Sequence, residues 1–183
     1  MQTSHALTEK HYDEFRAKSL EMAQKVISPT YADRVSLRQI DSLSLAHAER
    51  WEASLARSDD ASWNWSGDNG FRKYAYRHPK RFDLAIWYAN TQLCGLSVGK
   101  PTYNGSKMRL DVLEGAPENH PLKRKVVEIT VLACEAYASL IGAEQIRIMK
   151  PVNANVIKYY ESFGFTLRQG KASNVPTYLW RNL

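Results

Sequence analysis

The sequence predicts an α+β fold in which helices flank a mixed, mostly antiparallel sheet. Strand-like patterns lie close together between residues 82 and 113, and a long helical pattern over residues 121–141 separates them from a further strand. The length of 183 residues and the 44% hydrophobic content indicate one domain with its own core. We therefore predict a single domain over residues 1–183, of which residues 1–30 form an N-terminal helical extension.

The first half of the chain is predicted to be mainly helical. The predicted elements are a helix from Glu9 to Val26, a strand from Arg34 to Ile40, a helix from Ser44 to Ala56 and a short helix from Phe71 to Tyr76. Thr8 is a plausible N-cap for the first helix, and Pro29 should end it, because proline has no N–H to continue the hydrogen bonding.

The second half of the chain supplies most of the predicted sheet. Its predicted elements are a hairpin of Phe82–Tyr88 with Leu93–Gly99, a strand from Met108 to Leu113, a helix from Pro121 to Ile141, a strand from Gln145 to Met149, a helix from Asn153 to Phe163, and a hairpin of Phe165–Arg168 with Tyr178–Trp180. Gly142 should cap the long helix. This order predicts an antiparallel sheet with one right-handed crossover.

The charge balance favours an anionic partner. The chain has 25 Lys and Arg against 19 Asp and Glu, a formal charge of +6. Nucleic acid, an acidic membrane surface and a phosphate-bearing small molecule are all consistent with this total. Two separated cysteines, Cys94 and Cys134, and no signal-peptide or membrane-spanning pattern predict a reduced, cytoplasmic protein. The 5 scattered histidines predict no metal site.

One segment carries a more specific signal. In residues 155–165, NVIKYYESFGF, a helical pattern ends at Gly164, which permits a left-handed exit, and Phe165 re-enters the sheet. The segment resembles the C-terminal signature of the GNAT-type N-acetyltransferase superfamily, carried here by Asn155, Tyr160, Glu161, Gly164 and Phe165. The predicted element order from Arg34 to Leu183 is similar to that of the same superfamily.

This resemblance implies that acetyl-CoA is the co-substrate and that it lies in a V-shaped opening between the strand ending at Glu114 and the strand from Gln145 to Met149. The pantetheine arm would pair with the backbone of Leu113 to Gly115 as an added strand does. The pyrophosphate would lie at the N-terminus of the helix predicted to begin near Pro121, where free N–H groups favour negative charge.

The predicted phosphate-binding loop departs from the family pattern. Family members have Gln or Arg, two residues, Gly, one residue, and Gly or Ala, whereas the matching residues here run from His120 to Lys125 without a small residue. We expect His120, Lys123, Arg124 and Lys125 to contact the phosphates by charge in place of the usual backbone approach. The alternative is that these bases are solvated residues of a helical first turn.

The resemblance also implies roles in catalysis. Tyr160 would donate a proton to the departing thiolate, and Glu114 would receive the proton of the attacking amine, with Asp111 as the nearest alternative. Asn155 would contact the cofactor, and a backbone N–H near Leu113 would stabilise the oxyanion. Alternatively, Tyr160 is a core aromatic residue and Tyr159 is the tyrosine that faces the solvent.

The acceptor is not determined by the sequence. Aromatic residues are interleaved with bases in one stretch, a pattern found in nucleic-acid sites; these are Trp51, Trp63, Trp65, Arg72, Lys73, Tyr74, Tyr76, Arg77, His78, Lys80 and Arg81. The competing interpretation is that the tryptophans are core residues and the bases are solvated. The N-terminal helix would cover the sheet or form a homodimer contact.

The resulting prediction is an N-acetyltransferase that moves an acetyl group from acetyl-CoA to a primary amine within a ternary complex. One alternative is a non-catalytic module of the same fold that binds protein or nucleic acid, since the usual phosphate loop is missing. The other is an acetyltransferase that acts on aminoacyl-tRNA.

Overall fold

A seven-stranded mixed sheet in the order β1-β2-β3-β4-β5-β7-β6 organises the part of the chain described by the computed structural model, residues 4–171, 174 and 176–183. Its strands are β1 Val35–Arg38, β2 Phe82–Tyr88, β3 Gln92–Pro101, β4 Lys107–Gly115, β5 Gln145–Met149, β6 Thr166–Arg168 and β7 Tyr178–Asn182. The helices are α1 Ser4–Tyr31, α2 Ser42–Glu52, α3 Phe71–Arg77, α4 Val126–Leu140 and α5 Ala154–Glu161. The predicted α+β class is confirmed.

Helices cover both faces of the sheet. One core cluster contains apolar residues of α1 and α4 and the buried Tyr160 of α5. The other contains apolar residues of α2, with Trp65 and Phe71, packed on the opposite face of β2 and β3. The sheet is therefore buried on both sides, which explains why β2 is apolar along nearly its whole length.

The sheet opens between its two central strands. β4 and β5 run parallel, but their pairing covers only Lys107–Leu110 against Gln145–Ile148, whereas β4 continues to Gly115. On its other side β4 stays paired with β3 as far as Gly115, through a register shift next to Val98. The predicted opening between the ends of β4 and β5 is therefore present.

One glycine lets α4 begin close to this opening. Gly95 of β3 lies opposite Gly115 of β4, and a Cβ added at Gly95 would lie 2.5 Å from the side chain of Val126. Any larger residue at Gly95 would therefore have to displace Val126 in the first turn of α4.

The predicted N-terminus of the long helix is wrong by about five residues. Residues 121–125 form turns, and α4 begins at Val126. Pro121 has no N–H, and Arg124 has a left-handed φ of +69°, which a continuous helix does not allow. At the other end Gly142, with φ of +74°, ends the helix as predicted, and the N–H of Ala143 donates to the carbonyl of Ala138.

Helix α1 is longer than predicted and is tied to the domain. It extends through Pro29 to Tyr31, because a proline in the last turn costs only one hydrogen bond. Thr8 lies inside the helix, with its hydroxyl bonded to the carbonyl of Ser4, so it is not the N-cap. The core includes Leu20, Ala23 and Ile27 of α1. The helix therefore covers the sheet, which is one of the two roles predicted for it.

A buried ionic network fixes α1 on the sheet. The guanidinium of Arg16, 1% exposed, contacts Glu9 of the same helix at 2.6 Å and Gln39 at 2.9 Å. Arg81 bridges Glu9 to the fully buried carboxylate of Asp83, at 2.8 and 2.9 Å. Asp83 also accepts a hydrogen bond from the backbone N–H of Ile40. These partners compensate the buried charges, so Arg81 is a structural residue.

Among the described residues, no helix is both long and apolar enough to span a membrane.

Candidate active site

A cleft lies where β4 and β5 separate. Its main cavity has a volume of about 400 Å³ and is walled mostly by apolar side chains. A second cavity of about 380 Å³ adjoins it and shares part of its wall. The residues around the main cavity are Asp60–Trp63, Leu110–Glu114, Val127, Ile148–Val152, Val156, Tyr159 and Tyr160. The cleft thus has β4 and β5 as its floor, α5 on one side, and a non-regular segment, residues 53–63, which we call the strap, on the other.

Glu114 lies on the β4 wall of the cleft and is held by several donors. Arg57 of the strap donates to both of its carboxylate oxygens, from Nε at 2.8 Å and from Nη2 at 3.0 Å. The indole Nε1 of Trp65 donates to the same carboxylate at 2.7 Å. The predicted position of Glu114 at the cleft agrees with the structure, but three donors already occupy most of the roughly four acceptor positions of this carboxylate and favour its charged form.

Asp111, the alternative carboxylate, also lines the cleft. It accepts one hydrogen bond from the phenol of Tyr74 and one from Arg109, each at 2.9 Å. Burial, together with the nearby charge of Asp111, raises the pKa of Tyr74 well above its usual value. Tyr74 therefore stays protonated and donates to Asp111 at all ordinary pH values.

Both tyrosines of α5 line the cleft, in different environments. Tyr160 is almost fully buried and packs against Phe165, and burial raises the pKa of its phenol above the usual value. Tyr159 is partly exposed, and its hydroxyl donates to the carbonyl of Arg124 at 2.6 Å. Tyr160 is thus both a core aromatic residue and a cleft residue, so its two predicted interpretations are compatible.

The start of α4 presents positive charge and free backbone donors. Lys123, Arg124 and Lys125 are all exposed, and Lys125, the N-cap, makes no capping hydrogen bond with its side chain. The ammonium group of Lys125 contacts Glu128 at 3.1 Å. An uncapped helix start preceded by three bases suits an anion, since N–H groups and side chains both favour negative charge there.

The loop before α4 turns without glycine because Arg124 itself adopts the left-handed conformation. The hydrogen bond from Tyr159 to the Arg124 carbonyl holds this turn against α5. The missing glycines therefore do not prevent the chain from turning, although the side chains of Lys123 and Lys125 remain where small residues would leave open space.

His120 differs from its basic neighbours because it is buried, with 7% exposure. Burial, and secondarily the charge of Lys123, lower the pKa of its imidazole, and its Nδ1 is buried without a hydrogen-bond partner. Burial therefore favours the neutral imidazole, and His120 does not share the exposure of Lys123, Arg124 and Lys125.

The asparagine at the cleft is not the one that the sequence analysis selected. Asn155 is exposed and does not line the cleft, whereas Asn153 does. The Asn153 carboxamide caps α5 by accepting from the N–H of Val156 at 3.0 Å and donates to Asp60 of the strap at 3.3 Å. The signal available in the sequence was its position: asparagine directly before a helix is a common N-cap.

The aromatic residues in and before α3 differ in burial, and the tryptophans lie mostly in the core. Trp51 is 7% exposed and Trp65 is fully buried, as the core interpretation predicts. Trp63 lines the cleft and packs edge-on against Trp65 and Tyr74. Tyr76 is 75% exposed, and its ring stacks on His5 of α1.

Within the part of the chain that is described, no group of three or more His, Cys, Asp or Glu side chains is arranged to hold a metal ion.

Solved N-acetyltransferase structures superpose on most of the chain. The PaiA N-acetyltransferase from Thermoplasma acidophilum, solved with coenzyme A, is 15% identical, with a TM-score of 0.57 over 81% of this chain and 99% of that one. A mutant of the spermidine N-acetyltransferase SpeG from Vibrio cholerae is 12% identical, with a TM-score of 0.59 over 81% and 94%. The N-acetyltransferase PseH from Campylobacter jejuni is 12% identical, with a TM-score of 0.53 over 81% and 98%.

No family model matches the sequence, and no curated protein matches it either. At these identities the structural likeness concerns the path of the backbone alone. This chain has the fold of the GNAT-type N-acetyltransferases.

Proposed function

We propose that the protein is an N-acetyltransferase that transfers an acetyl group from acetyl-CoA to a primary amine. One observation carries the proposal: a cleft passes between the separated ends of β4 and β5, with a basic, uncapped helix start on one face of the sheet and two carboxylates on its wall. The basic helix start could bind the phosphates of a thioester co-substrate, and a carboxylate could accept the proton that the attacking amine loses.

The residues present suit acetyl-CoA. The edge of β4 beyond Leu110 is not paired with β5, so the backbone of Leu113 to Gly115 can bond an extended amide chain. Lys123, Arg124 and Lys125, with the first N–H groups of α4, would hold the phosphates. The apolar walls of the cleft would exclude water from the thioester.

The reaction requires one bond to form and one to break. The amine nitrogen attacks the thioester carbonyl carbon, and the C–S bond then breaks to give an amide and a thiol. A backbone N–H near Leu113 would stabilise the negative charge on the carbonyl oxygen. Tyr160 would donate its phenolic proton to the leaving sulfur, which suits a phenol that burial keeps protonated.

The proton of the amine would pass to a carboxylate of the β4 wall. Glu114 is the predicted acceptor and Asp111 its alternative. The contacts favour Asp111, because a carboxylate with fewer donors has more room to accept a proton. Asp111 accepts two hydrogen bonds, one of them from the neutral Tyr74. Glu114 accepts three, two of them from the charged Arg57.

The proposal is tested first by binding. Coenzyme A and acetyl-CoA should each raise the melting temperature, because a ligand that binds only the folded state stabilises it. A panel of small primary amines is then screened with acetyl-CoA for release of free thiol. No shift at millimolar ligand would contradict the proposal and would favour a non-catalytic binding module.

A further inference from the structure

We propose that Arg57 is a positioning residue that holds the strap, residues 53–63, over the side of the cleft from which the amine enters. This inference rests on the proposed function, which identifies the other side of the cleft as the side of the thioester. The sequence gives Arg57 no distinguishing feature, since it lies in a segment without helix or strand.

The guanidinium of Arg57 joins the strap to the floor of the cleft. It forms a bidentate pair with Glu114, at 2.8 and 3.0 Å. The two side chains are 14% and 10% exposed, so solvent screens the pair little. A planar guanidinium facing a carboxylate fixes orientation as well as distance, which a lysine could not reproduce.

The same guanidinium also folds the strap back on itself. Its Nη2 donates to the backbone carbonyl of Trp63 at 2.6 Å, six residues further along the chain. The ring of Trp63 then packs on Trp65, with centroids 4.6 Å apart, and the indole of Trp65 donates to Glu114. Arg57 and Trp65 thus meet on one carboxylate, and together they set the position of Trp63 at the cleft.

The strap lies opposite the elements assigned to the thioester. Residues 60–63 line the main cavity, together with Tyr159 and Tyr160 of α5. The basic start of α4 packs with α1 and α5 on one face of the sheet, whereas α2, Trp63 and Trp65 pack on the other face. With the donor on the α4 face, an amine reaches the thioester from the face that the strap covers.

The other polar contacts of the strap are exposed. Asp60 accepts a single hydrogen bond of 3.3 Å from Asn153 of α5, and the hydroxyl of Ser54 donates to Glu118 at 2.5 Å. Exposed single bonds contribute little. The strap is therefore held by the shielded contacts of Arg57 and by the packing of Trp63, and loss of the Arg57 side chain should loosen residues 58–63 without disturbing the start of α4.

The test compares Arg57→Ala and Arg57→Lys with the unchanged protein. Arg50→Ala, which removes an exposed base from α2 next to the strap, is the matched control. Three quantities are measured: the rate of chymotrypsin cleavage after Leu55 and Trp63, the dissociation constant of coenzyme A, and the rate at which acetyl-CoA is hydrolysed to acetate and free thiol. None of these needs an identified amine.

Arg57→Ala should speed strap cleavage at least about tenfold, since cleavage reports local opening, and leave the dissociation constant of coenzyme A within about twofold. Hydrolysis should rise, because water gains access to the thioester. Arg57→Lys should also speed cleavage and hydrolysis, because an ammonium group does not reproduce the planar, bidentate geometry of the guanidinium. Arg50→Ala should match the unchanged protein in all three measurements.

Unchanged cleavage or unchanged hydrolysis in Arg57→Ala would overturn the inference. So would a dissociation constant of coenzyme A that rises by the same factor as the cleavage rate, which would mean that Arg57 supports the whole cleft. An Arg57→Lys variant that matches the unchanged protein would overturn it too. If the unchanged protein does not bind coenzyme A, the proposed function fails, and the cleavage rates alone then decide whether Arg57 holds the strap.

Discussion

Two adjacent tyrosines illustrate how one residue position changes a chemical role. Tyr159 uses its hydroxyl to hold the carbonyl of Arg124, whereas Tyr160 is buried at the cleft, and burial raises the pKa of its phenol. For this reason we propose Tyr160, and not Tyr159, as the proton donor.

We therefore expect Tyr160→Phe to lower turnover at least about tenfold, as loss of a general acid does, with little change in coenzyme A affinity. Because burial raises the Tyr160 pKa above the usual value of about 10, activity should not fall on the alkaline side below about pH 10 through loss of this proton. Stopped-flow turnover and calorimetric binding measure both effects. Tyr159→Phe is the control, and equal losses in the two variants would contradict the assignment.

Substitution distinguishes the two carboxylates of the β4 wall. If Asp111 accepts the proton, Asp111→Asn should lower kcat by about 10² or more, because a general base is lost. Glu114→Gln should lower kcat less. Steady-state kinetics with the same amine measures both variants, and the reverse order of losses would identify Glu114 as the base.

At the scale of elements, the turn before α4 contains a testable strain. A non-glycine residue in the left-handed region costs about 1 kcal/mol or more, so Arg124→Gly should be more stable than Arg124→Ala by about that amount, as urea unfolding would measure. Both variants lose the same charge, so their difference isolates the backbone. At Lys123, whose φ is not positive, the order should be reversed, and Lys123→Ala should be more stable than Lys123→Gly. Equal stability of both Arg124 variants would show that the turn relaxes.

The same element should bind anions through its charge. Replacing Lys123 and Lys125 together by alanine should raise the dissociation constant of coenzyme A severalfold at low salt and flatten its dependence on salt, because fewer screened contacts remain. Titrations at two ionic strengths measure this. The exposed Lys18 and Lys25 of α1 form the control pair, and an equal effect there would mean only a general response to net charge.

At the scale of the whole molecule, α1 is part of the core and not an appendage. Arg16→Ala would remove one of the two guanidinium groups that face Glu9 and the buried Asp83 and would leave only that of Arg81, and removing one partner from a buried ionic network costs up to about 3–5 kcal/mol. Urea unfolding should show this loss. Lys25→Ala, which breaks an exposed pair with Glu21, should have little effect. A small loss in Arg16→Ala would mean that water or Arg81 replaces the missing charge.

Local patterns were sufficient for most elements. The predicted bounds of β2 and β5 agree with the structure, because period-two and continuous apolar patterns depend only on neighbouring residues. Errors occurred at helix ends, as at Pro121 and Pro29, where one proline or one left-handed residue decides the boundary and its effect depends on what packs around it.

The sequence by itself determined the class of the fold, the order of its elements and the positions of Tyr160, Glu114 and the bases before α4, because periodicity, glycine and charge are local properties. The tertiary structure alone decided which side chains meet. It placed Asn153 at the cleft in place of Asn155, and it paired Arg57 with Glu114 across 57 positions of sequence. Such contacts depend on how the sheet brings distant segments together, and one sequence carries no local pattern that records them.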